Sequence, residues 1–537
     1  MRHPWIVGLL LAMSTTSRAD ELSRSDKLRL LYSNQLSFDR RGVPLITIGI
    51  ADGQREAVIE STTPIRLLPD GEDGSEVQVG KRWRVTLSEA KAAEIEHYAV
   101  LAREGPSGLE RLTAQLKTWQ GRGVRCRILE VGTIFGVRGK VYDNRAYILA
   151  DGPYRTEAEA TATAERHATR YGVTPIDVLA QLKTRPSGRL EAADEQGTTR
   201  VRVRDALWLA PTGKGLLGLR LGRAPAAAYW GQIYVTVDRN GRLAVVNAVP
   251  ADKLLAGLVP AEIFPTAPKA ALMAQAVAAR GDLMAKLGTR HLVDPFRICA
   301  RQHCQVYRGA GHEHPHTTDA VQKTEGQVLV RPDASLVNTV YHAACGGHTE
   351  DNDRVWPVRA DAHLRGHLDG DAKGSPFGGG ITEENLSAWL ATRPRTHCGG
   401  STYNQEKYRW TVRLPLEELT RLVQALGVGP VRAIQVLERG RSGRARRVRV
   451  EGALGRKEVR GELTIRQLFG GLRSSMFVVT PERDAGGRVL AFVFKGGGWG
   501  HGVGMCQTGA TGMARSGRPF AEILRHYYPG SELVRLY

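Results

Sequence analysis

Short runs of alternating apolar and polar residues open the readable part of the chain. Residues 45–50, 56–60 and 82–87 carry this period-two pattern between Gly and Asp turns, and predict strands. The period then changes. Residues 98–102 (YAVLA) lead through Gly105-Pro106 into a helical stretch to about Gly121, then a strand around 124–131. About 49 residues after the first run, 147–150 (YILA) leads through Gly152-Pro153-Tyr154 into a helix from Thr156 to about Tyr171. Thr156 is a good N-cap there, and Glu157 and Glu159 suit the positive end of the helix dipole. Strand, Gly-Pro turn and helix, twice over, predict a small α+β module. Strand patterns resume at 201–203, 206–209 and 230–237, and Asn240-Gly241 signals a hairpin into 243–247. The module at 93–185 therefore interrupts one β-rich domain formed from 20–92 and 186–537. A long helix is expected from Ala267 to about Leu287, with Leu272, Ala276, Ala279 and Leu283 as its apolar stripe. The fold class expected is α+β: a β-rich core with one long helix at its active site, plus a small ferredoxin-like insert.

Residues 1–19 read as a secretory signal. Arg2 and His3 precede a nine-residue apolar run, 5–13, and Ser17 and Ala19 stand at −3 and −1 of a small-x-small cleavage site. The run is too short to span a bilayer, and no later stretch is long and apolar enough. The expectation is export to the periplasm or the cell surface, with no membrane span.

The 537 residues carry 75 Lys and Arg against 55 Asp and Glu, a net charge of +20. Such a surface suits a polyanionic partner. Export weakens nucleic acid as that partner and favours a cell-wall polymer. The basic run 439–449 (RGRSGRARRVR) reads as a solvated hairpin, or as an electrostatic contact with anionic wall polymer.

Six cysteines in an exported chain allow three disulfides in fifteen pairings. Cys345 and Cys398 each precede Gly-Gly and are expected to pair, leaving Cys126 and Cys506 as free thiols. Cys299 and Cys304 are close enough for a local bridge. They also stand with His291 and His303 in a set that could ligate a structural zinc tetrahedrally. Both readings stay open at this level.

The chemistry concentrates in three segments. In 259–265 (VPAEIFP), Glu262 lies between two prolines and is expected on a stiffened turn beside Val259, Ile263 and Phe264. Apolar surroundings disfavour the carboxylate and would let this group hold a proton near neutral pH. The helix that follows carries Gln275 and Arg280, polar groups that could line a cleft. The glycine-rich block 496–509 lacks the Lys-Ser/Thr of a phosphate-binding loop. It offers instead a flat wall with the aromatic face of Trp499, and His501 is its titratable side chain.

These segments resemble the stage II sporulation protein D superfamily, which includes amidase enhancers. The resemblance rests on Glu262 followed by 270–280 (AALMAQAVAAR), then 304–309 (CQVYRG), 345–350 (CGGHTE), Val355-Trp356, 498–510 (GWGHGVGMCQTGA) and 526–530 (HYYPG), in that order. It implies a peptidoglycan lytic transglycosylase. Such an enzyme cleaves N-acetylmuramic acid–N-acetylglucosamine bonds of peptide-stripped strands and leaves 1,6-anhydro ends. Glu262 would be the general acid and base, and no cofactor is required. Gln275, Arg280, Gln305, Tyr307, Trp499 and His501 would line the groove. The alternative that the resemblance carries is a non-catalytic, wall-binding enhancer of an N-acetylmuramoyl-L-alanine amidase. Four positions depart from the pattern: Met273 stands for the usual Lys, Gly281-Asp282 for Thr-Tyr, and Cys506 for Ser. The 93–185 module is similar in pattern to the SPOR domain, which binds glycan strands stripped of stem peptides.

Overall fold

The alternating segments become strands because each has one face to bury. In the computed structural model, Pro44–Gln54 pairs antiparallel with Leu243–Pro250 near one edge of an eight-stranded sheet. That sheet runs Ser37–Phe38, Pro44–Gln54, Leu243–Pro250, Gln232–Val237, Ala206–Pro211, Ile65–Leu68, Val77–Gln78, with Ile298–Cys299 added in parallel to Pro44–Gln54. A six-stranded sheet includes Glu56–Ser61, Arg82–Lys91 and Ser187–Asp194. Ile46, Ile59, Trp83, Leu190 and Val245, from both sheets, share one core. The structure describes residues 31–537 except 33–35, 40, 69–76, 79, 138–139, 173–176, 223–225, 302, 372–374 and 402–404; the expected signal segment lies outside the described residues. No helix among the described residues is long and apolar enough to cross a membrane.

Arg82–Lys91 and Ser187–Asp194 pair with each other, and the chain between them forms a separate layer. Its strands are Glu94–Glu104, Cys126–Val131, Ala146–Tyr154 and Asp177–Thr184, backed by the helices Leu109–Gly121 and Glu157–Tyr171. In space the strands run fourth, first, third, second, with every pairing antiparallel. This is the βαββαβ arrangement of ferredoxin-like folds. Thr156 caps its helix by accepting from the Glu159 amide at 3.2 Å. A hairpin of Ile134–Val137 and Lys140–Asp143, which the apolar pattern did not predict, extends from this layer. The residue after it, Asn144, donates from Nδ2 to the carbonyls of Met284 (3.0 Å) and Leu287 (2.9 Å). Met284 lies in the last turn of the long helix and Leu287 is the residue that ends it, so the module ties down that helix end.

The long helix spans Lys269–Lys286. Its stripe predicts one buried face, but from Ala271 to Met284 every residue except Met273 is buried. Leu272, Ala276, Ala279 and Leu283 face the double-sheet core. Ala274, Val277 and Ala278 face a second core that contains Val503, Met505, Tyr527 and Tyr528. Alanines permit this double enclosure because they hold neighbours at short range. Gly281 takes the closest approach: a Cβ there would lie 2.3 Å from Thr339 Oγ1, whose hydroxyl donates to the Ala278 carbonyl at 2.7 Å.

Two three-stranded sheets, within Arg409–Pro415 to Val489–Gly497, build a third core with the helices Leu416–Leu422 and Glu462–Leu468. The basic run 439–449 lies here and departs from expectation. Its tip is buried, because Glu350 accepts from the Arg441 amide (2.8 Å) and from the Ser442 amide (3.2 Å) and hydroxyl (2.6 Å). Arg444 is fully buried under the glycine-rich block, and a Cβ at Gly502 (φ +86°) would meet its Cζ at 2.5 Å. Arg447 and Arg449 pair with Glu458. The run is an interior anchor with a paired face.

Arg280 is also an interior anchor. It has no exposed surface and donates to Asp252 Oδ1 (3.0 Å), the Tyr537 hydroxyl (3.0 Å) and the Gln327 carbonyl (3.2 Å). It thereby ties the long helix to the preceding helix and to the final residue. Arg280→Ala strands Asp252 without its cation and is expected to cost about 3–5 kcal/mol. Urea denaturation followed by tryptophan fluorescence measures this, and a loss under about 1 kcal/mol contradicts the anchoring role.

Candidate functional site

A cavity of about 1250 Å³ opens between the double-sheet core, the glycine-rich block and the edge of the inserted module. It is larger than the usual small-molecule pocket of about 300–1000 Å³, so it has room for an extended ligand. Glu262, Tyr341, Lys286, Trp356, Trp499 and Gln507 are among its lining residues.

Glu262 is the last residue of the helix Ala251–Glu262, whereas the sequence predicts a turn between prolines. Pro260 is accommodated inside that helix, and the stop comes at Ile263, which is extended (φ −132°) with its amide still bonded to the Val259 carbonyl. The Glu262 side chain turns into the cavity. Its Oε1 accepts from the Val306 amide at 3.3 Å, and the Tyr341 hydroxyl hydrogen-bonds to it. Burial raises its pKa and the nearby Asp282 carboxylate adds to the rise, while the Val306 amide, Lys286 and Tyr341 offset part of it. The result is a carboxyl group biased toward its protonated form.

The backbone of this residue is held as well. Gln507 donates from Nε2 to the Glu262 carbonyl (2.9 Å) and to Gln275 Oε1 (3.1 Å). Below it, Asp282 Oδ2 receives Lys286 Nζ (2.5 Å) and Gln305 Nε2 (2.6 Å). Lys286, one helical turn beyond Asp282, brings a cation to the cavity by another route, given that position 273 is Met.

His501 is fixed on both nitrogens. Nδ1 accepts from the Val503 amide (3.0 Å), so Nε2 carries the proton and donates to the Tyr341 carbonyl (3.0 Å). Burial, with Arg444 close by, pushes its pKa down to about 3, and the ring stays neutral. Its face packs against Trp356, 4.9 Å between ring centres. Trp499 is 39% exposed, with Lys407 Nζ 4.7 Å from its ring centre. Phe264 projects nearby with 53% exposure. Exposed aromatic rings beside a cavity supply flat apolar surface, which single-domain surfaces seldom waste.

Of the residues singled out in the sequence, Glu262, Gln305, Trp499 and His501 line the cavity. Gln275 stands one residue behind, holding Gln507. Arg280 and Tyr307 do not line it. Tyr307 is buried beside Tyr229, and its hydroxyl donates to Asn247 Oδ1 at 3.3 Å. The sequence reading missed Tyr341, Gln507, Asp282 and Lys286 as site residues. Gln507 lies inside the glycine-rich block and Asp282 at a departure from the family pattern, so both had a signal; Tyr341 had none.

The six cysteines are unpaired in this structure, which departs from the expected Cys345–Cys398 bridge and from the Cys299–Cys304 one. His291, Cys299, His303 and Cys304 bring their ligand atoms within 4.8 Å of one another. Asp294 Oδ2 accepts from His291 Nδ1 at 2.8 Å, which leaves Nε2 free to ligate, 3.2 Å from Cys304 Sγ. His291 also holds a positive φ of 53°, a strained backbone for that residue type. The set fits a tetrahedral zinc beside the cavity, which His303 and Cys304 also border.

Comparison with known proteins matches the segments that carry this site. A family model described as "Stage II sporulation protein" matches residues 239–330, which include Glu262 and the whole long helix. A model described only as a domain of unknown function matches 350–504. An uncharacterized protein of Brachyspira hyodysenteriae is 27% identical over 57% of this chain and 72% of its own length. The amidase enhancer of Bacillus subtilis is 25% identical over 52% of this chain, but only 40% of that protein is covered. Stage II sporulation protein D of Bacillus subtilis is 24% identical over 56% of this chain and 79% of its length. Residues 239–330 thus match the stage II sporulation protein family, and about half of the chain is similar to stage II sporulation protein D and to the amidase enhancer.

Proposed function

We propose that this protein is an exported lytic transglycosylase acting on peptide-stripped peptidoglycan strands, with Glu262 as its acid and base. The observation that carries the reading is a largely buried carboxyl group, Glu262, whose pKa is raised by burial and which is held at both side chain and backbone inside a long cavity. Protonated Glu262 gives its proton to the bridging oxygen as the bond from C1 of N-acetylmuramic acid breaks. The carboxylate then takes the proton of the same sugar's 6-hydroxyl while that oxygen bonds to C1. Glu262 ends as it began, and no water is consumed. Hydrolytic glycosidases usually need a second carboxylate to activate water or attack the sugar. Here Asp282 is engaged by Lys286 and Gln305, which suits the one-carboxylate scheme. Trp499 and Phe264 offer faces on which sugar rings pack. The inserted module adds a second cavity, of about 1060 Å³, lined by Arg122, Arg127, Arg166 and Tyr171; this groove supports the SPOR-like reading of a further glycan contact. Zinc at His291, Cys299, His303 and Cys304 would brace the loop that presents Val306 to Glu262.

Purified protein is incubated with amidase-treated sacculi, and soluble 1,6-anhydro products are resolved by mass spectrometry. Product from the wild type is expected to fall at least about 100-fold in Glu262→Gln, the scale of general acid–base catalysis. Absence of product from the wild type, with pelleting on sacculi retained, overturns the enzyme in favour of a wall-binding amidase enhancer.

The same assay as a function of pH tests the Tyr341 contact. Its hydroxyl stabilises the Glu262 carboxylate, so Tyr341→Phe raises the carboxyl pKa further. A protonated acid persists to higher pH, and the alkaline limb of the rate profile moves up. A limb that stays put or moves down contradicts this contact.

Trp499→Ala removes the exposed ring without touching Glu262. We expect roughly ten-fold weaker binding to sacculi, the equivalent of about 1.4 kcal/mol, measured by co-sedimentation. Unchanged binding removes Trp499 from the glycan contact.

A further inference from the structure

Three of the six cysteines meet away from the cavity, around a carboxylate. Cys345, Asp369, Cys398 and Cys506 are all buried, and one ligand atom from each lies within 4.8 Å of every other. We propose that these four residues form a buried structural zinc site, distinct from the His291 cluster.

The geometry carries this in several ways. With metal–sulfur bonds of about 2.3 Å, a tetrahedral site has edges of about 3.8 Å, so the four atoms need little adjustment. Each sulfur already accepts backbone amides, as thiolates at metal centres do. Gly347 donates to Cys345 Sγ at 3.2 Å; Cys345 and Gly509 donate to Cys506 Sγ at 3.1 and 3.2 Å. The Gly346 amide bonds to Cys398. Asp369 is oriented for ligation. Its Oδ1 accepts from the Tyr527 hydroxyl (2.8 Å) and lies 3.2 Å from His526 Nε2, while Oδ2 faces the sulfurs, 3.2 Å from Cys345 Sγ. Outer contacts of this kind fix ligating carboxylates. Arg444 and Arg409 reach the same region: Arg444 donates to the Cys345 carbonyl (3.2 Å) and Arg409 to the Gly346 carbonyl (2.9 Å). They balance the negative charge that three thiolates and a carboxylate leave after binding a divalent ion. Soft sulfur ligands in a tetrahedral set select zinc among abundant divalent ions.

The four ligands come from four separate segments. Cys398 is in the helix His397–Gly400, and Cys506 caps the helix Gln507–Arg515. The residue after Cys506 is Gln507, which holds the Glu262 carbonyl. A metal here therefore fixes the glycine-rich block against the rest of the molecule, and takes no part in bond cleavage because none of its ligands lines the cavity.

The test is metal content of the full chain, purified without chelator and measured by inductively coupled plasma mass spectrometry. Cys398→Ser and Cys506→Ser are each expected to lose one zinc equivalent relative to wild type. In Cys299→Ser, which leaves the proposed site intact, zinc-edge X-ray absorption is expected to read three sulfur neighbours and one oxygen. This second measurement decides the matter if the first variants do not fold. Zinc content unchanged in both Ser variants overturns the site. So does a Cys299→Ser protein whose zinc environment has no three-sulfur, one-oxygen component, or a Cys345–Cys398 disulfide found by alkylation and peptide mapping of wild type.

Discussion

Burial of the helix Lys269–Lys286 between two cores, almost complete from Ala271 to Met284, is the constraint from which the rest follows. A helix with no solvent face must be built of small apolar residues, and each polar group on it must find a partner inside the protein. There are three such groups in its middle, and each partnership becomes a support for the cavity. Gln275 engages Gln507, which holds the Glu262 carbonyl. Asp282 engages Lys286 and Gln305 on the cavity floor. Arg280 engages Asp252, in the first turn of the helix that ends at Glu262. That short helix is thus tied to the long one near its start by an ion pair and at its end through a pair of amides. A side chain at its C-terminus, such as Glu262, therefore has little freedom to wander.

Much of the architecture was legible because strand alternation and helix start signals are local. Residues 98–102 and 147–150 do form strands, each followed by a helix, and Thr156 does cap the second. The long helix was legible in extent, within two residues at its start. Its surroundings were not. A stripe of Leu272, Ala276, Ala279 and Leu283 looks the same whether the alanines between face water or a second core. The same ambiguity misplaced Arg280: an arginine on an alanine-rich helix reads as a cleft cation until Tyr537, at the far end of the chain, closes over it. The basic run 439–449 misled for a related reason, since charge density gives no sign of the buried carboxylate, Glu350, that grips its tip.

Within the site, Glu262 was legible because its chemistry and its flanking motif coincide. Tyr341 was not, because it reaches Glu262 from 79 positions away along the sequence and no local pattern marks it. The cysteines show the limit most clearly. Spacing suggested pairs, but ligation depends on what converges in space. Asp369 and Cys506, 137 positions apart, share a cluster that no spacing rule connects.

The distribution of protons in the cavity bears on mechanism. His501 is the side chain whose ordinary pKa best suits proton transfer near neutrality. Here its Nδ1 is occupied by the Val503 amide and its Nε2 by the Tyr341 carbonyl, and burial keeps it neutral. It cannot accept a proton without losing one of those bonds, so it acts as a spacer that sets the Tyr341 backbone. Asp282 is similarly committed, bound by an ammonium and an amide. Of these three groups, Glu262 is the one left with room to work. A reaction that must both donate a proton and activate a water would strain such a site. A reaction in which the substrate brings its own hydroxyl, and one carboxyl hands a proton out and takes another back, asks only for what this cavity holds.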